Sequence, residues 1–223
     1  MRSFYPEIKA KVVWVSLAGE TDGAYLHNGA LCFKGEKIID ESELPLFGEH
    51  NLYNALFAIA VARLMGVSAE IIKSAIKDFR GVPFRNQTVA EIKGVKFVND
   101  SKSTNTASAI SAIKGATRPV ILILGGSEKG EDYTALFEFI KQSAVKQVIL
   151  TGDSRRNMLA AADKAGYREL TVCADFDFAV KIAALMAEEG DEVLLSPACA
   201  SFDNFSSYVE RGERFNKIAG DLE

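Results

Sequence analysis

The 223-residue sequence is poor in the two residue types that most often build metal and thiol sites. Its three cysteines, Cys32, Cys173 and Cys199, are odd in number and far apart. None is in C-x-x-C spacing, which speaks against a disulfide framework or a zinc site. The two histidines, His27 and His50, lie early in the chain, so the remainder has no Ser-His or Cys-His pair for nucleophilic catalysis. His27 sits beside a turn and reads as structural or solvent-exposed. Long apolar runs are absent too: ALFAIAVARLM is interrupted by Arg63 and is too short to span a bilayer. The opening MRSFYPEIKAK has no signal-peptide apolar core. Positive charge is not in excess, with 26 Lys+Arg against 30 Asp+Glu, and a net charge of −4 argues against a nucleic-acid or anionic-membrane surface. There is no internal repeat and no low-complexity segment. The expectation is a cytoplasmic protein with neither nucleic acid nor membrane as partner.

The length allows one large domain or two smaller ones. Residues 1–47 read as short strands and turns: KVVWVSLAG as a strand, then GAYLHNGALCFKGEKIID as a hairpin turning at His27-Asn28-Gly29. This segment shows no complete core of its own and reads as part of a larger domain. Two helices in series follow. Leu52, Ala55, Leu56, Ile59, Ala60 and Leu64 mark the buried face of the first, with Gly66 as its stop. Ser68 caps the second, whose buried face is Ile71, Ile72, Ala75, Ile76 and Phe79. His50, Asn51 and Asn54 cluster at the start of the first helix, where capping by Asn51 is the plain reading.

Gly81-Val82-Pro83 marks the boundary between a domain at 1–81 and one at 82–223, since Pro83 disfavours helix at Val82. Beyond it, apolar strands (88–92, 95–98, 120–124, 147–150, 170–172, 193–195) alternate with helical patterns (106–113, 134–143, 155–165, 178–188, 204–219). That alternation predicts an α/β domain with a mostly parallel sheet covered on both faces.

Three strands end in loops of unusual composition. After Val98 come seven polar residues, Asn99 to Asn105, offering a carboxylate (Asp100), an ammonium (Lys102), hydroxyls (Ser101, Ser103, Thr104) and amides before a helix opens at Thr106. A polar loop at a carboxyl strand edge, opening a helix, suits a charged, phosphorylated ligand, although the same residue types also serve as ordinary turns and caps. The second loop, LGGSEKGEDY, brings two glycines and Lys129. It is neither a Walker G-x-x-x-x-G-K-[ST] loop nor a G-x-G-x-x-G fingerprint, and a glycine turn with a surface lysine describes it equally well. In the third, LLSPACASFDNF, Pro197 bars a direct helix and Ser201 offers a hydroxyl near the last helix's N-terminus, a cradle for a carboxylate. Asp203 there reads equally as a helix cap. Cys199 reads as a small packed residue rather than a nucleophile.

Taken in order, GEHNLYNAL, the Pro83–Arg85 element, GVKFVNDSKSTN, LGGSEKGEDY and LLSPACASFDNF resemble the Mur ligases, over a stretch from about Gly23 to the C-terminus. Within that family they resemble most the member that adds D-glutamate. The resemblance implies a C-terminal Rossmann-like domain preceded by an incomplete remnant of an α/β ATPase domain. It implies a reaction in which ATP and Mg2+ phosphorylate the carboxylate of UDP-N-acetylmuramoyl-L-alanine and the amine of D-glutamate then attacks the acyl phosphate. Carried over by motif, Asn51, Asn54, Arg85 and Asp100 would bind ATP, with Arg85 near phosphate and Asp100 near the ribose. Thr104, Lys129, Ser201 and Tyr208 would hold D-glutamate. Lys102 would be catalytic, a cation where negative charge develops between nucleotide and amino acid.

The pattern departs from the family at Phe84, where a His is frequent, and at Tyr208, where Phe is frequent. It also lacks the phosphate-binding G-x-x-G-K-[ST] loop, the magnesium ligands and the carbamylated lysine, which the resemblance places upstream. The expectation is a portion of the ligase that is inactive alone. The alternative is a stand-alone, non-catalytic amino-acid or nucleotide-binding module of the same fold. Another amino-acid-adding ligase, including folylpolyglutamate synthase, is disfavoured by the ACASFD and NDSKSTN spellings.

Overall fold

The structure, a computed structural model, describes residues 9–45 and 48–222. The chain divides into two compact units, Met1–Gly81 and Val82–Glu223. In the first, β1 (Trp14–Ser16), β2 (Gly23–His27), β3 (Ala30–Phe33) and β4 (Glu36–Asp40) form a sheet in that order. β1 runs parallel to β2, and the later pairs are antiparallel. Asn28-Gly29 and Lys34-Gly35 both adopt positive φ, the hairpin-turn geometry that matches strand twist. The GAYLHNGALCFKGEKIID segment therefore makes two hairpins rather than one.

Helices α1 (Glu49–Leu64) and α2 (Ala69–Asp78) complete the unit. Residues of the first 47 do reach a core, but only with these helices: Leu31, Phe33 and Ile39 pack with Leu56, Ile59, Ala60 and Ile72. Ser68 caps α2 by accepting from the Ile71 N–H. Several expected core positions are corrected. Leu64 is exposed because α1 is apolar around much of its circumference and only one stripe meets the sheet; Ile71 and Ala75 on α2 and Phe79 at its end are exposed as well, and Ile72 is the buried residue of α2. Tyr53, Phe57 and Val61 are exposed on α1 as well. Asn51 is not the cap of α1, since Gly48 holds that position and Asn51 lies inside the first turn. The His50 side chain lies outside the described residues.

The second unit is an α/β sandwich: β5 (Gln87–Ile92), β6 (Val95–Asn99), α3 (Thr106–Gly115), β7 (Val120–Gly125), α4 (Thr134–Ile140), β8 (Val145–Thr151), α5 (Arg155–Ala165), β9 (Leu170–Val172), α6 (Phe176–Met186), β10 (Glu192–Leu195) and α7 (Tyr208–Gly220). The sheet order is β5-β6-β10-β7-β8-β9. Only β5 is antiparallel, joined to β6 by the tight Lys93-Gly94 turn. Alternation along the parallel strands divides the core in two. Leu122, Leu124, Val148, Leu150 and Leu194 face α3, α4 and α5, whereas Ile121, Ile123, Ile149, Val193 and Leu195 face α6 and α7.

The last helix begins at Tyr208 rather than near Asn204, and α4 ends at Ile140. Asp203 is not a helix cap; that role falls to Ser207, which accepts from the Glu210 N–H. Because β10 sits between β6 and β7, and the helices after β6 and β10 lie on opposite faces, the sheet has its switch at these strands. Ligands enter α/β sheets at such switch points.

Candidate functional site

The carboxyl ends of β6, β10 and β7 line up, Leu195 pairing with Asn99 on one side and Ile123 on the other. The chain leaving β6 is pinned at once. The Asn99 carboxamide donates to the Gly212 carbonyl (2.8 Å) and to Asn216 Oδ1 (2.6 Å), both on α7, and its own oxygen accepts from the Ser101 N–H (3.0 Å). The Asp100 carboxylate is buried beneath the loop. It accepts from Ser196 Oγ (2.8 Å) and from the Asn86 N–H (3.2 Å). Burial pushes its pKa up to about 6, against the opposing pull of those two bonds, the Ser103 hydroxyl and the positive charge of Arg85. Desolvation wins because a carboxylate loses more hydration than these partners return.

Lys102 follows. Its N–H donates to the Phe84 carbonyl (3.0 Å), and its ammonium stands 3.8 Å from the centroid of the Tyr208 ring, a cation–π contact. Phe84 meets the same ring edge-on, centroids 6.4 Å apart. Phe84 reaches this place through an unusual backbone (φ 63°) and because Gly212 leaves room for its ring where a Cβ would collide. Thr104 is half-buried just ahead of Asn105, which caps α3 by accepting from the Ser108 N–H (2.9 Å).

After β10 the chain packs beneath the β7 loop. The Gly125 N–H donates to the Pro197 carbonyl (2.9 Å) and the Ser127 N–H to the Ala200 carbonyl (2.8 Å). Gly125 and Gly126 need positive φ here, and a Cβ on either would strike the carbonyl of Thr151 or Ala200. Cys199 is buried between Tyr133 Oη (3.1 Å) and Ser154 Oγ (3.4 Å). Burial raises its thiol pKa, so it stays a packed thiol. Ser201 is buried, seven residues before the first residue of the last helix, and its carbonyl accepts from the Phe205 N–H (2.9 Å). The expected position at that helix's N-terminus is thus corrected: a turn of 201–207 intervenes. Lys129 is exposed at the tip of the β7 loop, and Glu131 returns the loop to α3 through Thr106 Oγ1 (2.7 Å). Among the described residues no group of three or more His, Cys, Asp or Glu gathers to hold a metal ion.

Residues 84–199 match the family model described as Mur ligase, glutamate ligase domain, about half of the chain. The chain belongs to the Mur ligase family. It is 44% identical over 209 residues to UDP-N-acetylmuramoylalanine–D-glutamate ligase of Thermoanaerobacter sp. (strain X514), covering 90% of this chain and 45% of that protein. With the enzyme of the same name from Latilactobacillus sakei it shares 40% identity, covering 96% and 47%. The chain therefore spans about half the length of these relatives. Among solved structures, UDP-N-acetylmuramate-alanine ligase from Thermotoga maritima matches with a TM-score of 0.63 at 16% identity, over 87% of this chain and 43% of that one. A folylpolyglutamate synthase from Mycobacterium tuberculosis, complexed with ADP and AMPPCP, matches at 0.61 and 17%, over 87% and 46%. These two carry the fold alone.

Against this Mur ligase frame, Asp100, Lys102, Thr104, Lys129, Ser201 and Tyr208 all fall on loops or a helix start at the carboxyl edge of one sheet. Arg85 is exposed and close enough to Asp100 to act on its charge. Asn51 and the exposed Asn54 lie on α1 of the first unit. Sequence reasoning missed Asn86, Ser196 and Arg211. The first two are visible only once β5 and β10 flank β6. Arg211 left one trace, the Arg-Gly pair inside a helical pattern, where a mid-helix glycine is costly enough to need a packing reason.

Proposed function

We propose that this chain supplies the D-glutamate grip and one wall of the ATP site of the ligase that joins D-glutamate to UDP-N-acetylmuramoyl-L-alanine, a step of peptidoglycan precursor synthesis in the cytoplasm. The observation that carries the reading is the junction of the NDSKSTN and SPACASFD loops on adjacent strands, with the Lys102 ammonium held over Tyr208 at their edge. The names of the relatives and the ADP complex of a neighbouring fold support it.

In this reading Asp100 and Arg85 meet ATP, Asp100 toward the ribose and Arg85 toward phosphate; Asn51 and Asn54 are assigned to ATP by the family resemblance. ATP, when bound, supplies the phosphoryl group that activates the carboxylate of the UDP-linked substrate. Lys129, Thr104, Ser201 and Tyr208 hold D-glutamate so that its amine is oriented, which matters more than activation by a strong base. Lys129 pairs with a carboxylate of the amino acid. Lys102 places a fixed positive charge where negative charge develops at the reacting carbonyl, and it needs no reorganisation because Tyr208 already orients it. Magnesium, as in the family, would take its ligands from outside the described residues.

The 223 residues contain no G-x-x-G-K-[ST] loop, so the purified chain given ATP, Mg2+ and both substrates is expected to form no amide. In a chain extended to the length of its relatives, Lys129→Ala and Ser201→Ala should each weaken D-glutamate use by about 2–5 kcal/mol while leaving the UDP-substrate unaffected. Unchanged KM and kcat for D-glutamate in both variants would withdraw the assignment. The second reading is a non-catalytic binding module; failure of the extended chain to make amide while still binding D-glutamate would select it.

A further inference from the structure

Arg211 is 2% exposed, an unusual place for a guanidinium, and among the described residues it donates to no carboxylate. Its Nε donates to Ser101 Oγ (3.0 Å), one terminal nitrogen to the carbonyls of Ser101 (2.9 Å) and Cys199 (3.0 Å), and the other to that of Ala200 (3.3 Å). Ser101 Oγ in turn donates to the Tyr208 carbonyl (2.8 Å). One side chain on α7 thus ties the loop after β6, the loop after β10 and the start of its own helix. Lys102 adjoins one tie, Ser201 another, and Tyr208 is the third. Burial lowers the pKa of Arg211 to about 10, which leaves it charged at neutral pH. A planar fork with donors in several fixed directions can satisfy carbonyls on two loops at once; an ammonium cannot match that spread.

We propose that Arg211 is a positioning residue that holds the Ser101-Lys102 turn and the Cys199-Ala200-Ser201 segment in one fixed relation, so that the amino-acid grip exists before any ligand arrives. As a statement about D-glutamate it rests on the function proposed above; as a statement about the loops it does not.

The test compares wild type, Arg211→Met, Arg211→Lys and Arg211→Ala in the 223-residue chain by residue-resolved amide hydrogen exchange, together with D-glutamate titration. In Arg211→Met, protection at the Ser103 and Ser127 amides should fall at least roughly tenfold, about the worth of one hydrogen bond, while Leu122 and Ile149 amides in the central strands hold theirs. Arg211→Lys should recover only part of that protection, and added guanidinium should restore it in Arg211→Ala. D-glutamate affinity should follow the loop protection. Equal loss across strands and loops, no loss at all, full recovery by lysine, or collapse of both the Met and Lys variants would each overturn the proposal. If wild type binds no D-glutamate but the loop exchange behaves as stated, the clamp stands and the functional reading falls.

Discussion

The loop after β6 and the loop after β7 end neighbouring regions of one sheet edge, and each carries a lysine assigned to the site, yet they are built in opposite ways. The first is anchored along its length. Asn99, Asp100, Ser101 and Lys102 each have a partner outside the loop, on α7, on β10 or at Phe84. The second is anchored only at its ends, by Gly125 and Ser127 to the β10 loop and by Glu131 to Thr106. Between them Glu128, Lys129 and Gly130 are exposed, and the N–H groups of Lys129 and Gly130 donate to the carboxylate of Glu128, within the loop itself. Under the proposed function, a preformed cation suits the place where charge develops during reaction, whereas a lysine on an exposed tip suits the capture of a substrate that must enter and leave.

The contrast breaks most visibly at the glycines of the second loop. Gly125→Ala places a methyl against the Thr151 carbonyl at φ +118°, and should cost about 3 kcal/mol or more, or prevent folding. Gly130→Ala, at φ +71° with open space around it, should cost only about 1 kcal/mol. Urea unfolding of the pair measures root against tip, and similar losses would mean that the tip is as constrained as the root.

A smaller effect sharpens the account of the first loop. The folded state holds the Asp100 proton more tightly than the unfolded chain does, with a pKa of about 6 against 3.8. Its stabilising contribution is complete below the lower value and is lost as pH rises through the higher one. Asp100→Asn keeps an acceptor for the Asn86 N–H, turns an NH2 toward Ser196, whose hydroxyl can accept it, and carries no charge. It should therefore be more stable than wild type by about 1–3 kcal/mol near neutral pH, with the gap closing toward about pH 4. A gap that does not change with pH would mean that Asp100 is not the strained group. The smallest effect belongs to Lys129→Ala, which should leave the melting transition unchanged within about 0.5 kcal/mol, as expected of an exposed side chain that makes no bond among the described residues.

Much of this edge was legible in the chain itself. The break from apolar Val98 to seven polar residues marks the end of a strand, since only a loop tolerates that run beside a buried sheet. Asn105 before an alanine-rich pattern marks a helix start, and Asn105 indeed caps α3. Where reading along the chain failed, the cause was long-range. The face of α1 that reads as core includes Leu64, which the sheet does not reach. Ser201 and Asp203 read as the start of a helix, yet the chain first turns, and Asp203 accepts instead from the Asp153 N–H across the loops (3.3 Å).

The sequence by itself determined the α/β alternation, the three polar strand ends and, through their spelling, the likeness to the Mur ligases. These are local signals, written in periodicity and in turn chemistry. Only the tertiary structure decided that β10 lies between β6 and β7, and so that the first and last of those polar loops become neighbours. It also decided that Arg211, more than a hundred residues after Ser101, becomes the cation that joins them. Strand order rests on which faces and edges can be buried together, a property of the whole fold that no window of residues contains.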